Sequence, residues 1–336
     1  MTKKFLAAAG TSVLAAFVFA AAPPAPPRAP LGLPAAAWPA DNPYSPEKVA
    51  LGKLLYFDKR LSADDTVSCA TCHDPKFGFT DGAPVSTGIR GQKGGRSAPT
   101  VINRAWSLNQ FWDGRAGSLE AQAIGPIANP IEMGNNYPAV VARLNSIQGY
   151  KPLFKAAFGD ETIDIARVAK AIATFERTIV SGDSPYDRWK AGNTKAMSPA
   201  AVRGLHVFQK AECDSCHEGA NFTSNMYSNI GVGVASSNPD LGRFGITKDD
   251  TEWGVFKTPT LRDIEHTAPY MHDGSLKTLE EVVDYYDKGG TPNKNLDRHV
   301  KARHLSAEEK ADLVSFMKAL SGTGWRNITE PTSFPQ

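Results

Sequence analysis

Cys69-Ala-Thr-Cys72-His73 and Cys213-Asp-Ser-Cys216-His217 decide the reading of this chain, and together they use all four of its cysteines. In a CxxCH motif two thiolates can form thioether bonds to haem vinyl groups, and the next residue offers an imidazole to the iron. The spacing suits that chemistry: the cysteines reach one edge of a porphyrin while the adjacent histidine swings beneath its centre. One rival is a single four-cysteine zinc site made from both pairs. That arrangement joins distant segments and leaves two trailing histidines as coincidences. A disulfide pair is a second rival, because the expected compartment permits it. Two covalent c-type haems account for all six residues.

Each motif follows a helix with the same opening. Ser45-Pro46 reads as an N-cap with proline at the first helical position, leading through Leu51, Leu54 and Leu55; Ser198-Pro199 does the same before Leu205 and Phe208. Two helix-then-haem units predict an all-α chain of two cytochrome c-like domains, with no sustained strand alternation. Between them Ile165, Val168, Ala169, Ile172 and Ile179 mark an amphipathic helix. The Ser181-Gly182-Asp183-Ser184-Pro185 stretch is the best boundary, dividing residues 44–180 from 181–336. Thr278 with Glu281 and Ser306 with Glu309 open two later helices as capping boxes.

Lys3 and Lys4 precede an apolar run from Phe5 to Ala22 that ends in small residues. Residues 1–22 therefore read as a cleaved signal peptide, which places the protein in the periplasm, with an uncleaved membrane anchor as the alternative. Residues 23–43, rich in proline and alanine, read as a semi-rigid tether. Roughly 295 residues remain, room for two ordinary domains. The net charge of +2 falls to zero without Lys3 and Lys4, so nucleic acid is not expected as a partner.

The seven histidines leave a gap: none lies between His73 and His206, and the only methionine before Met197, the initiator aside, is Met133. A second imidazole at the first haem would have to come from the other domain. An open or water-bound iron is the alternative, and an open iron can bind hydrogen peroxide.

Three long segments, LGKLLYFDKRLSADDTVSCATCHDP, GGRSAPTVINRAWSLNQFWDGRAGSLEAQAIGPI and FKTPTLRDIEHTAPYMHDGSLKTLEE, carry a resemblance to the bacterial dihaem cytochrome c peroxidase family, whose relatives include the MauG-type enzymes. The resemblance runs from about Ser45 to about Gly322. It implies a peroxidatic N-terminal haem and an electron-handling C-terminal haem. It also implies hydrogen peroxide as substrate, with a small redox protein (cytochrome c or cupredoxin) or a protein substrate as partner, and it allows a homodimer. Trp112 resembles the tryptophan between the haems, and Gln122 and Glu132 the distal pair. A carboxylate above an open iron can take a proton from the near oxygen of peroxide and return it to the departing one.

Two departures from the family pattern make the chain specific. Ile89 stands where ordinary members carry a histidine that caps the resting peroxidatic haem. Tyr286 stands where they carry the methionine ligand of the second haem. Leu279, Val282, Val283 and Tyr286 share one helical face, which places Tyr286 for that role. A packing tyrosine is the alternative, and Met271, Met226, His266 and His272 are competing ligands. A thioether favours ferrous iron, whereas an anionic oxygen favours higher oxidation states. The pattern implied is MauG-like: oxidising equivalents shared between the haems through Trp112 and spent on a protein tryptophan or tyrosine. An ordinary cytochrome c peroxidase is the runner-up, and a non-catalytic dihaem electron carrier the third reading. Ala211 occupies the place of the surface-relay tryptophan of one MauG member; Trp189 and Trp253 are either other relays or packing residues. The family's calcium site maps onto Thr267, Pro269 and Ser97, the last in place of asparagine, a stronger oxygen ligand.

Overall fold

The computed structural model describes residues 24–336; its regular structure is helical, joined by long loops, with one two-residue antiparallel pair of strands, Tyr227–Ser228 against Phe256–Lys257. The signal-peptide expectation for residues 1–22 lies outside the described residues. No helix among the described residues is long and apolar enough to cross a membrane.

Both expected N-caps are formed. The Ser45 side chain accepts from the Lys48 N–H at the start of the Pro46–Phe57 helix, and Ser198 accepts from Ala201 N–H at the start of Pro199–Lys210. Thr278 and Ser306 complete capping boxes with Glu281 and Glu309, opening the helices Leu279–Asp287 and Ala307–Lys318. The amphipathic helix runs from Ile165 to Glu176, so Ile179 lies beyond its end, although it is fully buried.

The two units repeat one packing solution. The Pro46–Phe57 helix crosses Ile165–Glu176, and Pro199–Lys210 crosses Ala307–Lys318. A glycine sits at each crossing. A Cβ on Gly52 would lie 1.9 Å from the Ala171 carbonyl oxygen and 2.9 Å from Phe175 Cβ; on Gly204 it would lie 1.9 Å from the Asp312 carbonyl and 2.8 Å from Phe316 Cβ. Missing side chains thus let backbones touch, and a phenylalanine closes each contact. Two hydrophobic cores form around these crossings, one containing Leu51, Leu55 and Phe175, the other Phe208, Phe222 and Phe316.

The chain ends do not follow the division at residue 181. Trp325 belongs to the first core, with Ile328 and Phe334 packed against it. Gly149 N–H donates to the Gln336 carbonyl (2.7 Å), and Arg60 Nη1 to the Pro335 carbonyl (3.0 Å). The C-terminal segment therefore returns to the N-terminal haem unit. The stretch expected to be a tether is also held: Asp183 N–H donates to the Leu31 carbonyl (2.8 Å), and Asn42 is fully buried, donating to Glu120 Oε1 (2.7 Å). Beneath Gly32 a buried ion pair joins Arg262 to Asp187 (2.8 Å).

In most helix interiors Gly→Ala gains about 1 kcal/mol of propensity. Overpacking a close contact costs about 1–3 kcal/mol, and at the crossing it should win. Gly52→Ala is therefore expected to lower the urea midpoint of the holoprotein with little change in slope. An equal or higher midpoint would show that the crossing does not depend on the glycine.

Candidate active site

Both CxxCH histidines are fixed in the same way. His73 Nδ1 lies 3.2 Å from the Phe79 carbonyl oxygen, and His217 Nδ1 lies 3.1 Å from that of Phe222. A carbonyl on Nδ1 places the proton there and leaves Nε2 as the free lone pair, the arrangement a metal ligand requires. Burial lowers the affinity of both rings for a second proton, bringing His217 down to about 4. Both imidazoles are thus neutral and available at physiological pH.

Around the second motif lies a largely apolar cavity of about 220 Å³, lined by Cys213, Cys216, His217 and Tyr286. A close-packed interior leaves few voids larger than a water, so this space is built for an occupant. Two buried cations on its wall suggest which. Lys257 is 4% exposed, and its Nζ has no hydrogen-bond partner; Arg104, also buried, spends Nε on the Thr100 carbonyl (2.6 Å). Burial drives the Lys257 ammonium well below its ordinary pKa and brings Arg104 down to about 10. Two desolvated cations beside a thiol pair, an imidazole and apolar walls fit a haem, whose propionates would supply the missing negative charge.

Tyr286 lines this cavity, and burial pushes its hydroxyl well above the ordinary tyrosine value. A positively charged metal would reverse that shift. Of the competing ligands, Met271 and His272 share the cavity wall, His272 stacked on Phe256 at 3.7 Å between ring centroids. Met226 is 65% exposed, and His266 Nε2 meets Arg326 Nη2 at 2.8 Å; neither lines the cavity. Ser97, Thr267 and Pro269 all reach the wall, offering neutral oxygens, and no cluster of three acidic, histidine or cysteine side chains suited to a metal occurs among the described residues.

A separate pocket is lined by Phe111, Arg115, Ala121, Pro126, Asn129 and Glu132. Glu132 accepts from Asn129 Nδ2 at 2.8 Å on Oε1, and burial raises its pKa above the ordinary glutamate value, opposed by the charge of Arg115. Ile89, 1% exposed, donates its N–H to the Glu132 carbonyl (2.8 Å), so the position that lacks a histidine is packed beside the acid. Gln122 is half-buried on the Leu119–Ala128 helix, but its side chain is not part of this pocket's lining. Trp112 belongs to the wall of the cavity around the second motif, where Nε1 donates to the Ser97 carbonyl (2.8 Å) and its own carbonyl accepts from Lys257 N–H (2.7 Å).

The two units repeat one pattern of residues. Pro99 and Pro259, Thr100 and Thr260, Asn103 and Asp263, Phe111 and Met271, Gly114 and Gly274, and the caps Ser118 and Thr278 run at one constant spacing. Their geometry repeats as well. Thr100 and Thr260 each accept from the N–H two residues on, and Asn103, Asp263, Phe111 and Met271 all have positive φ. The same register pairs Pro126 with Tyr286. One helix presents a phenol to its cavity; the other presents a ring with nothing to coordinate iron. This register is legible in the sequence compared with itself, whereas Asn129, Lys257 and Arg104 acquire meaning only from their burial.

The di-haem cytochrome c peroxidase family model matches residues 46–195. The methylamine utilization protein MauG of Methylorubrum extorquens is 45% identical over 284 residues, spanning 84% of this chain and 80% of the relative. The cytochrome c551 peroxidase of Nitrosomonas europaea is 38% identical over 283 residues, spanning 84% and 82%. Among solved structures, a MauG-like protein associated with microbial copper homeostasis superposes with a TM-score of 0.81 at 36% identity, covering 87% of this chain and 94% of that one.

Glu176 is buried near Cys69 with Oε2 unpartnered, and burial raises its carboxyl to about 8. An unfolded glutamate titrates near ~4.3. Between those values the folded state holds the extra proton, so this group makes stability fall as pH rises through the window. Glu176→Gln should remove that slope, and its stability relative to the wild type should grow from about pH 4.3 to about pH 8. Parallel profiles of denaturant midpoint against pH in the two holoproteins would contradict the assignment.

Proposed function

Because this chain belongs to the dihaem cytochrome c peroxidase family that includes MauG, a family of haem-dependent oxidoreductases, we propose that it activates hydrogen peroxide at the haem of Cys69, Cys72 and His73 and uses the oxidising power in a MauG-like way. In this reading Cys69 and Cys72, and Cys213 and Cys216, hold the two haems by thioether bonds, with His73 and His217 on the irons. The bound haems supply the metal that takes peroxide and the redox equivalents it yields. The observation that carries the reading is the pairing of Pro126 with Tyr286 at one position of a duplicated helix. That pairing would leave the first iron without a side-chain ligand from this helix and would offer the second a phenolate oxygen.

Glu132 is the acid–base group. Its Oε1 is fixed by Asn129, and its raised proton affinity brings it nearer to neutral pH, where a carboxylate is a better general base. It takes the proton of the near peroxide oxygen and returns it to the departing one. Gln122 is assigned a peroxide-holding role by resemblance alone. Trp112, in the wall of the cavity around the second motif, is assigned communication between the haems by resemblance. Ser97, Thr267 and Pro269 are the place for a calcium ion, bound through neutral oxygens. A small redox protein or a protein substrate, and a periplasmic location, complete the proposal. The cytochrome c551 peroxidase relatives support ordinary peroxide reduction as the second reading; Tyr286 in place of methionine, with Ile89 in place of histidine, favours the MauG-like one.

Glu132→Gln should slow the reaction with peroxide by about 10²–10⁴-fold while both haems stay attached. Stopped-flow mixing of the diferric protein with stoichiometric peroxide, without reductant, measures this. An unchanged rate in the variant would remove Glu132 from the chemistry. A wild type that reacts only after one haem is reduced would return the chain to the ordinary peroxidases.

A further inference from the structure

Trp325 is the one tryptophan of six that is buried, and it comes from the C-terminal segment that returns to the first haem unit. Its ring lies 6.3 Å from that of Phe79, edge to face, and Phe79 in turn lies 6.3 Å from Tyr56. These are the residues that hold the first histidine: the Phe79 carbonyl fixes His73 Nδ1, and Tyr56 donates its hydroxyl to the His73 carbonyl at 2.8 Å. Aromatic side chains thus run from the proximal side of the first site to Trp325.

What distinguishes Trp325 is its hydrogen-bond partner. Its Nε1–H donates at 2.8 Å to Oδ1 of Asp263, a fully buried carboxylate whose Oδ2 has no partner. The Trp112 N–H and the Tyr56 hydroxyl donate instead to peptide carbonyls, which cannot take up a proton. An indole that loses an electron must also shed or share its positive charge, and a carboxylate on its N–H allows both. Beyond Trp325 lie His266, 5.8 Å away edge to face, and the exposed Arg326, whose guanidinium sits 5.3 Å from the indole ring. That guanidinium opposes a cationic ring and favours the neutral, deprotonated radical, although water screens it.

We propose that Trp325, positioned by Asp263, is the relay through which oxidising power leaves the first haem unit on its proximal side. The proposal rests on the peroxide-activating reading above. Hydrogen peroxide takes two electrons, and two protons from solvent, in becoming two molecules of water. Trp325 supplies one of the electrons, its Nε1–H proton passes to Asp263 Oδ1, and a neutral indolyl radical remains; the second electron comes from the haem redox centres. An electron from an external donor, together with return of the proton from Asp263, restores the indole. The relay stands on a different face of the chemistry from Ala211, where the sequence offers no oxidisable side chain.

The test is freeze-quench electron paramagnetic resonance of the wild-type holoprotein with peroxide and no reductant, using ring-deuterated tryptophan, together with peptide mapping after repeated peroxide additions. A tryptophan radical that narrows on deuteration, is lost in Trp325→Phe and falls severalfold in Asp263→Asn supports the relay. So does oxygen addition concentrated at Trp325 in the wild type, a readout that needs no variant to fold. Peroxide consumption at the usual rate, with Trp325 unmodified and the same radical in wild type and Trp325→Phe, would overturn the relay alone. No reaction with peroxide at all would overturn the peroxidase reading and the relay with it.

Discussion

The proposed chemistry depends on two half-buried imidazoles, each held by a phenylalanine carbonyl on Nδ1. Orientation alone would not suffice, because an imidazolium cannot ligate a metal. Burial supplies the second half by keeping both rings neutral. The helix crossings at Gly52 and Gly204 serve this constraint, since each packs the helix that leads into a CxxCH against its partner at backbone contact. The duplicated fold is thus a device for producing the same proximal half-site twice.

Function enters where the copies differ. Of two helices with equivalent caps, one carries Pro126 and leads into the turn that holds Glu132 beside a pocket, and the other carries Tyr286 in the wall of the cavity around the second motif. An open iron with a carboxylate nearby suits peroxide; a phenolate-bound iron suits the storage of oxidising equivalents. Trp112 and Lys257 are tied together by a backbone hydrogen bond where the two units meet, so the wall of the second cavity is partly built by the first unit.

Much of this is legible in the sequence because it is written in short-range chemistry. The CxxCH spacing, the serine caps before proline and the stripe ending at Tyr286 are local rules, and the structure forms each cap as expected. Long-range consequences are less visible. Nothing in GTGWRN announces that Trp325 packs into the core of a domain that starts near residue 44, or that its partner is Asp263. The proline-rich stretch ahead of Asn42 has a tether's composition, yet its carbonyls are used by Asp183 and Arg262. Gln122 shows the limit in the other direction: its match to the family pattern is good, but its side chain stands outside the lining of the Glu132 pocket.

The central claim is that one helical position closes the second iron and leaves the first open. Electron paramagnetic resonance of the as-isolated diferric protein, compared with its Tyr286→Met variant, tests it most directly. The account predicts one high-spin and one low-spin ferric signal, with only the low-spin signal changed by the substitution. Two low-spin signals in the wild type, or a Tyr286→Met spectrum identical to it, would contradict the account.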